Sequence, residues 1–173
     1  MAMASINSTK HNRYGWVCDL LILLAVVLAA AIGGLVTGGS DDPWYAELTK
    51  PPLNPPDMAF GIVWPVLYLF MAISAIIVRR KVGYFEDAPT SFGVFFLQLG
   101  FNLAWSVLFF FFHKPVWSLL DITCLFLSII TLIVHFGKYS KVAAALLVPY
   151  LVWVGFATYL NSAIVWLNVW PNG

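Results

Sequence analysis

Charge is what this chain has least of. Only 10% of its 173 residues are Asp, Glu, Lys or Arg, against about 25% in ordinary soluble domains. The formal net charge of +1 leaves no basic footprint for nucleic acid. Cysteine is also scarce. Cys18 and Cys124 are the two, both in apolar stretches and without C-x-x-C or ligand spacing, so neither a disulfide framework nor a zinc site is indicated. The three histidines are scattered. No Gly-rich phosphate loop, no GxSxG elbow and no conventional acid–base or nucleophile constellation is present. No catalytic residue, metal ligand or required cofactor is therefore expected.

What fills the chain instead is apolar: 61% of the residues are hydrophobic and 17% aromatic. A soluble fold this small could not hide so much apolar surface, which leaves an integral membrane protein. A bilayer core needs about 20 mostly apolar helical residues per crossing. Five stretches qualify, at residues 16–37, 58–78, 91–112, 116–135 and 143–169. Backbone groups in lipid must be satisfied within their own segment, so these are helices. The expected fold is an all-α, single-domain bundle of five transmembrane helices over residues 1–173. The first stretch has basic residues ahead of it, as a signal peptide does. Its apolar run of about 20 residues exceeds the usual 7–15 of a signal core, so it reads as a retained span.

Basic residues set the orientation. Lys10, Arg13, Arg79, Arg80, Lys81, Lys138 and Lys141 fall on one side of such a bundle, and only Lys50 and Lys114 on the other. The positive-inside rule then places the N-terminus in the cytoplasm if the host is a plasma membrane. The first loop, 38–57, and the C-terminus lie across the bilayer. That loop holds Pro43, Pro51, Pro52, Pro55 and Pro56 with Trp44 and Tyr45. Prolines fix φ, so it is a stiffened cover. His113, Lys114 and Pro115 allow only a tight hairpin between the third and fourth spans. No long internal repeat supports an inverted-repeat transporter.

Polar groups within a span normally face the bundle interior or a cavity. At about 100° per residue, Gln98, Asn102, Trp105 and Phe109 share one face of the third span. Trp117, Asp121, Cys124, Ser128 and His135 share one of the fourth, and Tyr150, Trp153, Ala157, Asn161 and Asn168 one of the fifth. Phe60, Trp64, Tyr68 and Met71 do so on the second, while the first is sparser, with Asp19, Ala30, Gly33 and Thr37. An interior lined by Trp, Tyr, Asn and a carboxylate suits a flat aromatic or sterol-like ligand, because rings give stacking area and amides fix orientation.

Blander roles stand beside these. Trp16, Trp166 and Trp170 read as interfacial anchors, and Trp117, at the start of a span, as either anchor or lining. Asn102 and Asn161 are either pocket groups or interhelical glue. Asp121 is either a buried structural acceptor or a ligand-facing group. Gly34-xxx-Gly38 and Gly100-xxx-Ala104 permit close helix approach, and the second is the candidate dimer contact.

Three segments together resemble the translocator protein family, also known as the tryptophan-rich sensory or peripheral benzodiazepine receptor family. The first is Trp44-Tyr45-x-x-Leu48-x-Lys50-Pro51-x-x-x-Pro55-Pro56, continuing through Phe60, Val63-Trp64, Leu67-Tyr68 and Met71. The second is Gln98-Leu99-x-x-Asn102-x-x-Trp105, with the phenylalanine run from Phe109 and Trp117-x-x-x-Asp121. The third is Pro149-Tyr150-x-x-Trp153-x-x-Phe156-Ala157-x-x-Leu160-Asn161-x-x-Ile164-x-x-Leu167-Asn168. The resemblance implies a five-helix bundle whose cavity is closed by the first loop. It implies binding of porphyrins such as protoporphyrin IX or haem, of sterols, and of synthetic benzodiazepine-site ligands. By motif position, Trp64, Asn102, Trp105, Trp117, Trp153, Ala157 and Leu160 would form the pocket, with Trp44 and the prolines Pro51, Pro55 and Pro56 in the lid.

One departure matters. Animal members carry an apolar–Tyr–basic cholesterol pattern at the end of the fifth helix. Here residues 160–167 contain neither Tyr nor any basic residue. A bacterial-type porphyrin role, in a bacterial cell membrane rather than an organelle, is therefore the favoured expectation. The expected partners are a tetrapyrrole or sterol, the lipid bilayer and a second copy of the chain. The competing reading is an enzyme that degrades porphyrin using light and oxygen. A membrane scaffold whose stripes are only packing is the third.

Overall fold

The computed structural model describes residues 15–38 and 41–170; Lys10 and Arg13 of the orientation argument, and residues 39–40 of the lid, lie outside them. Helix α1 runs Gly15–Val36. A short α2, Pro43–Glu47, sits within the first loop. Helix α3 is Asp57–Val82 and α4 is Pro89–Ser106. Helix α5 is Pro115–Gly137, α6 is Lys141–Leu146 and α7 is Val148–Asn168. No strand occurs among the described residues. Five spans, with α6 and α7 counted as one, are long and apolar enough to cross a membrane.

Local chemistry explains the breaks. Proline opens α2, α4 and α5, where its missing N–H costs nothing. The Asp42 carboxylate caps α2, accepting from the N–H groups of Trp44 and Tyr45. Ser140 caps α6 through the N–H of Ala143. Pro149 cannot donate to the carbonyl four residues back, so the fifth span divides at Leu147 into α6 and α7. The third span does not end as an α-helix. Residues Val107–Phe111 widen into a π turn, closed by the Phe112 N–H on the Val107 carbonyl at 2.9 Å. His113 follows at φ 52°, the left-handed conformation that reverses a chain after a helix. The Lys114 N–H then returns to the Leu108 carbonyl at 2.9 Å. The expected tight hairpin is made this way.

Packing orders the spans. Helix α1 lies against α3 and α4, α5 against α4 and α7, and α6 against α3, which closes the circuit. Ile22, Met71, Phe95, Ile129, Phe136 and Tyr150 form the buried core. The Ser74 hydroxyl donates to the Ala143 carbonyl at 2.7 Å and joins α3 to α6 inside that core. Near the basic end Arg79 Nε and Nη2 donate to the two carboxylate oxygens of Asp19, the Nε contact being 2.7 Å. The outer faces carry Leu20, Val27, Leu35, Leu69, Leu97, Leu127 and Val152, all exposed. In water such a belt would drive aggregation, whereas in a bilayer it is the lipid contact. The outward Thr123 and Thr131 bond their own helix carbonyls at 2.8 and 2.9 Å, so neither brings an unsatisfied hydroxyl into lipid.

Candidate functional site

Beneath the first loop, between α1, α3 and α4, lies a cavity of about 520 Å³, within the range of small-molecule sites. Phe60, Trp64 and Tyr68 of α3 and Asn102 and Trp105 of α4 all reach it. Their spacing brings them there: positions 60, 64 and 68 stack along one face of α3, as do 102 and 105 on α4. From α1 and the residue after it come Ala30, Gly33, Gly34 and Thr37, three of which the sparse stripe on the first span had singled out.

A buried polar chain braces the cavity floor. The Tyr68 hydroxyl donates to Asn102 Oδ1. Asn102 Nδ2 donates to the Tyr150 hydroxyl at 3.1 Å, and that hydroxyl donates to Gln98 Oε1 at 2.9 Å. Gln98 Nε2 ends the chain on the Met71 sulfur at 3.8 Å. Asn102 is therefore both glue between α3, α4 and α7 and part of the cavity wall. Asn161 works similarly on the loop side. Its Oδ1 accepts from Trp105 Nε1 at 3.0 Å and from the Ser118 hydroxyl at 2.9 Å, while its Nδ2 donates to the Pro115 carbonyl at 2.9 Å. This fixes the plane of the Trp105 ring.

Ala157 and Leu160 line a separate, smaller void of about 30 Å³. Phe60, Trp105, Tyr45 and Phe110 border both spaces, so these rings partition them. Trp153 is not in the main lining. It packs edge-on to Phe60 with centroids 5.5 Å apart, and its indole N–H is buried without a partner. One carboxylate oxygen of Asp121 is likewise buried and unpartnered. The geometry does not bring Trp117 into the pocket: it is 63% exposed. Helix α5 buries Ser118, Ile122, Leu125, Ile129, Leu132 and Phe136, and Trp117, one position away, is rotated by about 100° onto the outer surface.

The lid is an ordered cover. Tyr45 is buried against Phe109 and Phe110. Burial pushes its phenol above the ordinary value; the hydrogen bond to Asn54 opposes this and the Asp57 charge adds to it. Trp44 packs edge-on to Phe109 at 5.5 Å and stacks on His113 at 4.4 Å. His113 Nε2 lies 3.3 Å from Asp42 Oδ2. At the other end, the Thr49 N–H donates to Asn168 Oδ1 at 2.8 Å and Asn168 Nδ2 donates back to the Thr49 carbonyl at 3.0 Å. Pro51 is buried, Pro55 half-buried and Pro56 exposed at the entry to α3. Gly100 faces outward, where an added Cβ would meet nothing within 4 Å; Ala104 is half-buried on the same helix.

Several lining residues had not been singled out as site residues: Asp41, Asp57, Gly61, Pro65 and Ser106. A small residue and a helix-breaking proline four apart in the second span were the available signal for Gly61 and Pro65. The loop carboxylates had none.

The TspO/MBR family model matches residues 21–167. The chain is 39% identical to the tryptophan-rich protein TspO of Archaeoglobus fulgidus over 146 residues, covering 84% of this chain and 94% of that protein. It is 34% identical to the translocator protein of Homo sapiens over 150 residues, 86% and 89% of the two chains. It is 31% identical to the tryptophan-rich sensory protein of Cereibacter sphaeroides over 153 residues, 88% and 92% of the two.

Proposed function

The chain belongs to the TspO/MBR family, a multi-pass integral membrane protein, and from that premise we propose that it is a receptor or carrier for porphyrins such as protoporphyrin IX or haem, with sterols as secondary ligands. The observation that carries this reading is the cavity under the lid, walled by the flat rings of Phe60, Trp64, Tyr68 and Trp105. Flat aromatic walls favour a flat aromatic guest through offset stacking and apolar burial. Titration of the purified protein with protoporphyrin IX, in the dark and without oxygen, should quench tryptophan fluorescence saturably. Absence of saturable quenching by any tetrapyrrole would sink the proposal and leave the scaffold reading.

The competing function, light- and oxygen-dependent porphyrin degradation, is favoured by the Trp64 indole in the cavity wall, where an excited porphyrin would meet an oxidisable ring. It is separated by illuminating the complex in air. Loss of porphyrin absorption that requires light, oxygen and Trp64 would establish turnover; a stable spectrum would establish binding alone.

We also propose that the chain forms a homodimer through the outward face of α4. Gly100 is exposed and Ala104 lies one turn on, so a second backbone can approach closely. Gly100→Leu should raise the monomer fraction in lipid or detergent, read by crosslinking or light scattering. An unchanged distribution would place the contact on another helix.

A further inference from the structure

The lid meets the rest of the bundle at a histidine. His113 sits in the turn between α4 and α5 and is the one non-glycine among the described residues with a positive φ, 52°. That turn sets its ring against a loop 71 residues earlier in the chain. Its Nε2 lies 3.3 Å from Asp42 Oδ2. Its ring stacks on that of Trp44, with centroids 4.4 Å apart and planes 16° from parallel. Asp42 divides its two oxygens. Oδ1 accepts from the N–H groups of Trp44 and Tyr45 at 2.9 and 3.4 Å and so caps α2, which leaves Oδ2 for the imidazole. The Asp42 side chain is 14% exposed and that of His113 41%, so the acceptor is shielded while the ring exchanges protons with solvent directly.

Charge on this ring changes both contacts. A neutral imidazole offers one N–H and no net charge. An imidazolium donates from both nitrogens, faces the carboxylate with opposite charge, and stacks on the indole as a cation. Histidine is the side chain that gains such a charge near neutral pH. The other charged groups of the elements that meet here do not compete. Asp41 and Glu47 on the lid and Lys114 beside His113 are exposed, and Lys50 lies over the Tyr45 ring. Thr37 and Gly38, where the end of α1 comes beside Asp42, carry no charge. Of these groups only Asp42 is within ion-pair distance of the ring.

We propose that His113 and Asp42 are a proton-operated latch on the lid: protonation of His113 fastens the first loop to the α4–α5 turn, and deprotonation loosens it. The sign follows from linkage. Closing the lid gives the imidazolium a carboxylate and an indole face, and opening removes both, so the closed lid holds the proton more tightly. Closure is assisted fully while His113 is charged, and the assistance is lost as pH rises and the ring gives up its proton. The latch does not depend on what the cavity binds. Under the function proposed above, it would hold a guest longest at acid pH.

The test is hydrogen exchange of the lid amides, residues 41–50, read by mass spectrometry on the full chain in nanodiscs without ligand. It is run at about pH 5.5 and about pH 8, either side of the usual imidazole range, with rates corrected for the intrinsic pH dependence of amide exchange. Peptides from the α3–α4 loop, at the opposite end, serve as the internal control. Lid protection should be roughly threefold to fivefold greater at the lower pH, the effect of a partly exposed charge pair with a cation–π contact. The gain should shrink in about 1 M salt. His113→Asn suits the left-handed turn and removes the titratable ring, so it should abolish the pH response. Asp42→Asn keeps an N-cap side chain on α2 but removes the charge. It should cut the response while thermal melting stays near the parent's, and the double variant should behave as His113→Asn alone. Equal lid protection at the two pH values in the parent, a response indifferent to salt, or one that survives His113→Asn would overturn the latch.

Discussion

Trp64→Ala should weaken protoporphyrin binding tenfold or more, while Trp170→Ala leaves it nearly unchanged. The two residues are the same chemistry in opposite places. Trp64 lines the cavity and is itself positioned by Tyr68 and Tyr150, with centroids 5.7 and 6.3 Å away. Trp170 lies beyond the end of α7 and is 54% exposed. A stacking contact contributes roughly 0.5–1.5 kcal/mol beyond its area, and the lost apolar area adds a few kcal/mol more. Each decade of affinity corresponds to about 1.4 kcal/mol, so a tenfold loss is the lower bound. Fluorescence quenching reports both variants, and thermal melting confirms that each is folded. Equal effects from the two would mean that the ligand does not sit in this cavity.

Asp19→Ala should lower stability by about 3–5 kcal/mol, the usual cost of stranding one member of a buried ion pair. The Arg79 and Asp19 side chains are 10% and 17% exposed, and both sit on membrane-spanning helices. Arg80 also approaches Asp19, at 3.6 Å, but is 69% exposed and keeps its water. The stranded charge would therefore be that of Arg79. Asp19→Ala combined with Arg79→Met should recover much of the loss, because the remaining surface is then apolar. Thermal unfolding in detergent measures both. Gly15→Ala should give a milder version, since its new Cβ would lie 2.8 Å from an Arg79 guanidinium nitrogen. A single Asp19→Ala variant as stable as the parent would show that the pair contributes nothing.

The spans were legible because length and apolarity are read residue by residue, and the family because its motif spacing runs through three separated segments. The inward faces were legible where a helix is regular and its polar residues bond across the bundle. Gln98 and Asn102 on α4 and Phe109 in the π turn that follows it are all buried. The same arithmetic misled on α5. It gathered Trp117, Asp121, Cys124, Ser128 and His135 onto one face; Ser128 is buried, Asp121 and His135 are half-buried, and Trp117 and Cys124 are exposed. The inward face of α5 is instead marked mainly by apolar residues, Ile122, Leu125, Ile129, Leu132 and Phe136, while Thr123 and Thr131 bond their own helix carbonyls on the outer face. The turn geometry was also hidden. Nothing in a run of phenylalanines announces that residues Val107–Phe111 will widen into a π turn. Asp41 was illegible for a different reason: it reaches the cavity only once the loop has folded over it, and loop placement is set by distant contacts such as that of Thr49 with Asn168.

The two ends of the bundle are built unlike each other, and this bears on traffic. At the basic end α1 is bolted to α3 by Asp19 and Arg79, and α3 to α6 by Ser74 on the Ala143 carbonyl, with the apolar core filling the space between. At the other end the cavity is covered by a loop anchored by ring packing of Trp44 and Tyr45 and by the paired hydrogen bonds between Thr49 and Asn168. The molecule is thus a cup with a welded base and a cover anchored separately from it. A guest that entered under the cover would have to displace the loop alone and leave the core in place. A guest that crossed from one side of the bilayer to the other through the bundle would have to part an ion pair and unpack the core. Under the function proposed above, this asymmetry favours capture and release on one side of the membrane over passage through it.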